Sequence, residues 1–369
     1  MKQVHKILIV TPLYPPDIGG PATHVVFVEK ELTLLSNRIT KCYFGEVRRY
    51  PYIIRHIIFF FKILGAAYNV DTVYVLDPLG VGLPAALASI ILSKHFVLRV
   101  AGDRAWETGV QKFGVTESLD EFARNKFYSF FAFPLKLGQL ITAKLAHKIV
   151  VPSEYLKQIV SAWGVSAQKI NVIPSVYEHE DIPDKNTMRD EFGIKGYSIV
   201  SAGRLVVWKG FKMLIELMPD ILLSRGDATL TIIGDGPDRE NLRELVDLLN
   251  LQDVVKFTGN VSHTEVLSRV RAADLFILNT GYEGLSHQLL EVMDMEVPII
   301  TTRVGGTPEL IENGRDGILV EYNNKTELFS AVNEMFTNPL RSRLFTANAK
   351  NRLNKYDKTE VLNRLYKLL

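Results

Sequence analysis

The sequence predicts an α/β fold of two doubly wound parallel-sheet domains, and three observations carry that expectation. Short apolar runs bounded by Gly, Pro, Asn and Asp, as strands buried on both faces require, alternate with segments of helical periodicity. The alternation stops at Pro174 to Lys185, a polar, proline-containing stretch with no period, and restarts at Tyr197 to Ala202. At 369 residues there is room for two full cores, and 47% apolar with 23% charged residues is the composition of a folded soluble enzyme.

Composition removes several functions. A single cysteine, Cys42, excludes an intramolecular disulfide and a cysteine metal cluster and suits a reducing cytosol. A net charge of +2 gives no global attraction to nucleic acid, so none is expected as a partner. The start of the chain runs into a strand without a signal-peptide core, and no stretch reaches the length of a membrane span. The nearest candidate, Leu79 to Leu92, is rich in Gly, Ala and Pro and reads as a buried helix. A cytoplasmic protein is expected.

In the first half, Ile7 to Val10 is the first buried strand, and its loop reaches Gly19-Gly20 before Pro21 at a first helical position. The dinucleotide fingerprint G-x-G-x-x-G is absent, which disfavours a dehydrogenase. Strands follow at Ile39 to Phe44, Thr72 to Leu76, Phe96 to Ala101, His147 to Val151 and Ile170 to Ile173, with a helix at Tyr52 to Tyr68. Around that helix Arg48, Arg49, Arg55, His56 and Lys62 are interleaved with large apolar residues, a mixture that suits either an anionic membrane surface or a core helix with a basic edge. The aromatic run from Phe127 to Phe133 is read as a lid, a second membrane contact or core. Asp103, leaving the C-terminal end of a strand, stands where functional loop residues gather.

In the second half, the first loop carries Gly203-Arg204 and Lys209, two cations between a strand and a helix, where Arg can grip two phosphate oxygens and Lys adds a point charge. Strands are expected at Leu230 to Ile233, before Gly234-Asp235-Gly236, at Val254 to Phe257, before Gly259, and at Gly317 to Val320. The tail from Lys325 is helical. Between the strands Asp274 to Asn279 and Val297 to Thr301 lies Tyr282-Glu283-Gly284-Leu285-Ser286, leading into a helix that carries Glu291. If that helix starts at Leu285 or Ser286, Glu291 sits about two turns along, and its free N–H groups favour an anion at the sheet edge where open α/β sheets bind ligands.

Taken together, the Gly19-Gly20 loop, Gly203-Arg204 with Lys209-Gly210, Gly234-Asp235-Gly236, the E-x7-E pair Glu283 and Glu291, and Gly305-Gly306-Thr307-Pro308-Glu309 resemble the retaining, nucleotide-sugar-dependent glycosyltransferases of family GT4, which have the GT-B fold. The resemblance implies two Rossmann-like domains facing a central cleft: residues 1–178 on the acceptor side, 179–345 binding the donor, and 346–369 crossing back to the first domain. It assigns catalysis to Glu283, Arg204, Lys209 and Asp103. The donor would meet Gly19, Gly20, Arg204, Lys209, Gly234, Gly259, Glu283, Gly284, Leu285, Ser286 and Glu291, with Glu283 on the sugar and Glu291 on the ribose. The acceptor side would hold His24, Asp103 and Arg104. No cofactor and no metal are expected, since cations can neutralise the leaving diphosphate and no Asp-x-Asp metal signature is present. The partners implied are a nucleotide sugar, a glycan or lipid-linked acceptor of envelope polysaccharide or glycolipid synthesis, and an anionic membrane surface at the cytoplasmic face.

The pattern departs from the family in three places. Ser175 and Val176 follow Pro174 where the family has Asn-Gly, Glu296 stands where a helix-stopping Gly is usual, and Gly102-Asp103 occupies the place of an acceptor-side His. A sugar-nucleotide epimerase of the same fold and a non-catalytic sugar-nucleotide-binding protein are the alternatives.

Overall fold

The computed structural model describes residues 5–15, 17, 20–35, 38–125, 131–176 and 178–369. The chain divides into two compact units, Met1–Ser175 together with Lys358–Leu369, and Val176–Asp357.

Unit 1 is built on six parallel strands: β1 (Lys6–Thr11), β2 (Arg38–Tyr43), β3 (Thr72–Val75), β4 (His95–Arg99), β5 (Lys148–Val151) and β6 (Ile170–Val172). Their order is β2-β1-β3-β4-β5-β6, so the sheet is doubly wound with its reversal between β1 and β3. The central strands are uninterrupted apolar runs because helices cover both faces. Those helices are α1 (Gly20–Leu34), α2 (Tyr52–Ala67), α3 (Gly82–Ile91), α4 (Arg104–Lys112), α5 (Leu119–Arg124), α6 (Phe133–Leu145) and α7 (Glu154–Ala162). Right-handed crossovers put α1 on one face and α2, α3 and α6 on the other. The segment Lys358–Leu369 returns to this unit: Lys358 pairs with Glu31 at 2.5 Å, the Tyr366 ring meets His5 edge-on at 6.0 Å, and Thr72 donates to the Leu369 carbonyl.

Unit 2 repeats the plan with β7 (Ser198–Ala202), β8 (Thr229–Ile233), β9 (Val255–Gly259), β10 (Leu275–Leu278), β11 (Ile299–Thr302) and β12 (Ile318–Val320), in the order β12-β11-β10-β7-β8-β9. Its helices are α8 (Lys185–Phe192), α9 (Phe211–Ser224), α10 (Arg239–Leu248), α11 (His263–Ala272), α12 (His287–Asp294), α13 (Thr307–Leu310), α14 (Lys325–Thr337) and α15 (Pro339–Arg352). One core packs α9, α10 and α14 on the sheet, and a second packs α11, α12 and α15.

Two boundaries differ from the sequence expectation. The expected break at 345/346 would cut α15, whose Lys350 bonds Asp294 at 2.7 Å and whose Arg352 bonds buried Asp316 at 2.7 Å, so this helix belongs wholly to unit 2. The expected linker from Pro174 to Lys185 is shorter than its composition suggests. His179 bonds Asp294 at 2.7 Å, Glu180 receives His263 and Thr264, and Lys185 pairs with Asp274 at 2.6 Å, which pins residues 179–185 to unit 2.

Candidate active site

The strand order of unit 2 reverses between β7 and β10, and the loops leaving these neighbours at their C-terminal ends therefore lie side by side. One loop carries Arg204 and Lys209, the other Glu283. The Lys209 ammonium donates to Glu283 Oε1, and only 18% and 13% of the two side chains are exposed. Away from bulk water this attraction is much stronger than that of a surface pair, and an ammonium with three donors can hold a carboxylate and a phosphate oxygen together.

The backbone fixes that meeting. The Trp208 carbonyl accepts from Gly281 N at 2.7 Å, the Tyr322 hydroxyl donates to the Val207 carbonyl at 3.1 Å, and buried Asn279 Nδ2 donates to the Gly210 carbonyl at 3.1 Å. Behind Glu283, its carbonyl accepts from Gly306 N at 2.9 Å. Gly305, at φ +56°, allows this approach: a Cβ there would stand 2.0 Å from the Glu283 carbonyl oxygen.

Arg204 is exposed beside this pair in sequence and makes no ion pair with another described residue. Gly234 and Gly259 form a bridge, Gly234 N donating to the Gly259 carbonyl at 3.0 Å, so the β8 and β9 ends are drawn together. Gly234 has φ +126°, and a Cβ on it would come within 2.1 Å of the Gly203 carbonyl, which explains its residue type by backbone contact.

Gly284, Leu285 and Ser286 are buried, and the helix starts later than expected. Ser286 is the cap, its side chain accepting from Leu289 N at 3.3 Å, and α12 begins at His287. Glu291 therefore lies about one turn into the helix, not two. Its carboxylate is held by a residue the sequence reading did not single out: His263 Nε2 stands 2.9 Å from Glu291 Oε1, and Nδ1 stands 2.7 Å from Glu180 Oε1. Both ring nitrogens must donate, so the imidazole is charged, and the hydrogen bond to Glu291 is the main cause of a pKa pushed up to about 9. The usable signal was Ser262 with Glu265: Ser262 caps α11, which places His263 in the first turn just beyond β9.

At the reversal point of unit 1, Gly20 opens α1, and Gly19 lies outside the described residues. His24, buried on α1, has Nε2 at 3.2 Å from the Tyr74 hydroxyl. Burial pushes the Tyr74 phenol up against the pull of the neighbouring Arg99 guanidinium, which itself donates to Ser175 Oγ at 3.0 Å. Arg104 is half exposed in the first turn of α4, 4.0 Å from Glu107.

Asp103 is placed differently from the expectation of a reacting group. It is fully buried and caps α4, accepting from Trp106 N at 2.9 Å, Gln139 Nε2 at 2.9 Å and Trp163 Nε1 at 3.1 Å. Burial raises its pKa while these donors oppose the shift. With both oxygens bonded inside the protein, the carboxylate positions α4, α6 and the end of α7.

Residues 184–352 match the family model of the glycosyl transferases group 1. That match lies within the second unit and takes in nearly all of it. Alpha-D-kanosaminyltransferase of Streptomyces kanamyceticus is 33% identical over 159 residues, 42% of this chain and 41% of that relative. The GDP-mannose-dependent alpha-(1-6)-phosphatidylinositol monomannoside mannosyltransferase of Mycolicibacterium smegmatis is 29% identical over 209 residues, 53% of this chain and 55% of its own. The chain thus spans about half the length of the curated relatives it matches. In fold, it superposes on Anabaena HepE, solved in complex with UDP and glucose, with a TM-score of 0.80 over 98% of each chain at 18% identity. The group 1 domain and the unit before it together form a GT-B fold of two Rossmann-like units.

Proposed function

We propose that the protein is a retaining GT4-type glycosyltransferase that moves a sugar from a nucleoside diphosphate donor to a glycan or lipid-linked acceptor, without metal or other cofactor. The observation that carries this reading is the convergence of Lys209 with Glu283 at the reversal point of unit 2, with Arg204 on the same loop as Lys209. Cleaving a glycosyl–phosphate bond builds positive character on the sugar ring and negative charge on the departing diphosphate. Arg204 and Lys209 stabilise the second charge, Glu283 stabilises the first, and Glu291 holds the ribose. The names of the relatives support the class, since they act with sugar donors including GDP-mannose, and a phosphatidylinositol mannoside among their acceptors supports a lipid-linked one. On this reading the protein works at the cytoplasmic face of an anionic membrane, held there by the segment around Arg48 to Lys62. Among the described residues no helix is long and apolar enough to cross a bilayer.

Incubation with a panel of labelled nucleotide sugars, with and without EDTA, tests the proposal. The expected result is slow release of free sugar and nucleoside diphosphate that chelation leaves unchanged. Loss of activity in EDTA overturns metal independence; an altered sugar still on its nucleotide identifies an epimerase, and donor binding without turnover a binding protein.

A further inference from the structure

Three helices on one face of the unit 1 sheet carry apolar residues on their outer side as well as on the side that packs on the sheet, where Phe59, Ile63 and Ala85 are buried. A helix on a sheet normally turns its polar stripe to water. On α2 the outward positions Ile54, Ile57 and Phe61, followed by Tyr68 just beyond the helix, are exposed, Phe61 by 62%. On α3 they are Leu87, Ile90 and Ile91, the last also 62% exposed, and on α6 they are Phe133, Leu137 and Ile141. The spacings of three, four and seven residues put each set on one stripe. The stripes adjoin, because α2 packs on α3 and α3 on α6. Single exposed hydrophobics are ordinary, but a contiguous set across three helices marks a surface that meets something apolar.

Charge identifies the occupant. The three helices contain Arg55, Lys62, Lys136 and Lys144 and not one Asp or Glu. Lys62 reaches Glu46 at 2.6 Å and Lys136 reaches the carbonyls of Phe122 and Asn125, while Arg49 and Lys94 lie at the ends of α2 and α3. A second copy applied to this face would set cations against cations. A bilayer with anionic headgroups accepts both the apolar stripe and the basic fringe.

We propose that the α2, α3 and α6 face of unit 1 is a docking surface for an anionic lipid bilayer. This deepens the membrane-side placement proposed above and rests on it: the contact is a three-helix plateau, of which the Arg48 to Lys62 segment is one edge.

Flotation of the full chain with vesicles of phosphatidylcholine, alone or mixed with phosphatidylglycerol, tests it. Binding is expected with the anionic mixture, weakening with salt, and about fivefold weaker for each basic residue replaced, as for Lys144→Gln. Phe61→Asp and Ile91→Asp should each reduce binding on the order of tenfold or more, while Leu223→Asp, at a still more exposed apolar position of unit 2, leaves it unchanged. No flotation, flotation indifferent to headgroup charge, or flotation unchanged by both Asp variants overturns the proposal. So does a solution dimer that Ile91→Asp dissociates, since a second copy then covers the face. Nucleoside diphosphate binding by thermal shift, measured on the same preparations, keeps the two readings apart. Lost flotation with intact nucleotide binding overturns the docking surface alone, and absent nucleotide binding in a protein that floats overturns the transferase reading alone.

Discussion

His263 Nε2 lies 2.9 Å from Glu291 Oε1, so the carboxylate assigned to the donor ribose is already held by a charged imidazole. The second nitrogen ties the same ring to Glu180, and the first turn of α11 thereby sets the position of Glu291 on α12. Because the folded pKa is raised to about 9 from an ordinary value near 6.5, the linkage has a definite sign. Its stabilisation is fully present below the ordinary value and is lost as pH rises through about 9. Melting temperature of the wild type should fall over that window more steeply than that of His263→Gln. Donor KM should rise in the wild type over the same window. In His263→Gln it should start several-fold higher and lack that step, with kcat little changed. A pH-independent KM in the wild type would remove His263 from donor binding.

The two carboxylates should separate kinetically. Glu291 is assigned a contact made alike in ground and transition states, so Glu291→Gln should chiefly raise donor KM. Glu283 faces charge that develops as the bond breaks, so Glu283→Gln should chiefly lower kcat, by on the order of 10- to 100-fold for one charge-assisted hydrogen bond. Lys209→Ala should harm both parameters, since it strips Glu283 of its partner as well as the diphosphate of a cation. Arg204→Ala should do so without altering Glu283. Steady-state rates across a donor titration decide; a Glu283→Gln enzyme that turns over normally would end the assignment.

Glu296 has φ +56° and closes α12 where glycine would do so without strain. Val297 N reaches the Val292 carbonyl at 3.4 Å and Glu296 N the Met293 carbonyl at 3.2 Å, the pair of bonds that terminates a helix through a left-handed residue. Among the described residues its ion pairs are long, 3.9 Å to Arg271 and to Lys350. Glu296→Gly should therefore stabilise unit 2 by about 1 kcal/mol, or roughly 2–4 °C in Tm for a domain of this size, with rates unchanged. Calorimetry showing a lower Tm would mean the exposed ion pairs outweigh the backbone strain.

Asp103→Ala should destabilise unit 1 by about 1–3 kcal/mol, because Trp106 N, Gln139 and Trp163 lose a buried acceptor, and should leave nucleoside diphosphate affinity intact. If thermal stability holds while kcat collapses, Asp103 is a reacting group after all.

The strands were legible because parallel strands covered on both faces are continuous apolar runs such as Ile7 to Val10 and Leu275 to Leu278, short and bounded by polar residues, where the similar run Ile57 to Phe61 sits inside a longer helical segment. The meeting of Lys209 with Glu283 was legible because both follow strand ends, and strand order makes those ends neighbours. His263 was not, since Glu180 and Glu291 lie 83 and 28 residues away and a lone histidine in a capping turn carries no periodic signal. The burial of Asp103 was not legible for a related reason: position at a strand end looks the same in sequence whether the carboxylate points to solvent or back under the next helix. The outward apolar stripes of α3 and α6 were not legible because an apolar segment with no charge, as in α3, or with two lysines, as in α6, reads as core until the sheet shows which side faces out.

Unit 1 is discontinuous, and its order of assembly follows. Residues 176–357 form unit 2 without a break, so this unit can close while the chain is still being made. The first sheet by then has all six strands, yet Thr72 and His95 wait for Leu369 and Leu368, and Glu31 waits for Lys358. At roughly 5–20 residues per second the wait is on the order of ten seconds or more. During that interval the earlier-made half of the molecule is the less finished one, and its uncovered surface is what a chaperone would meet.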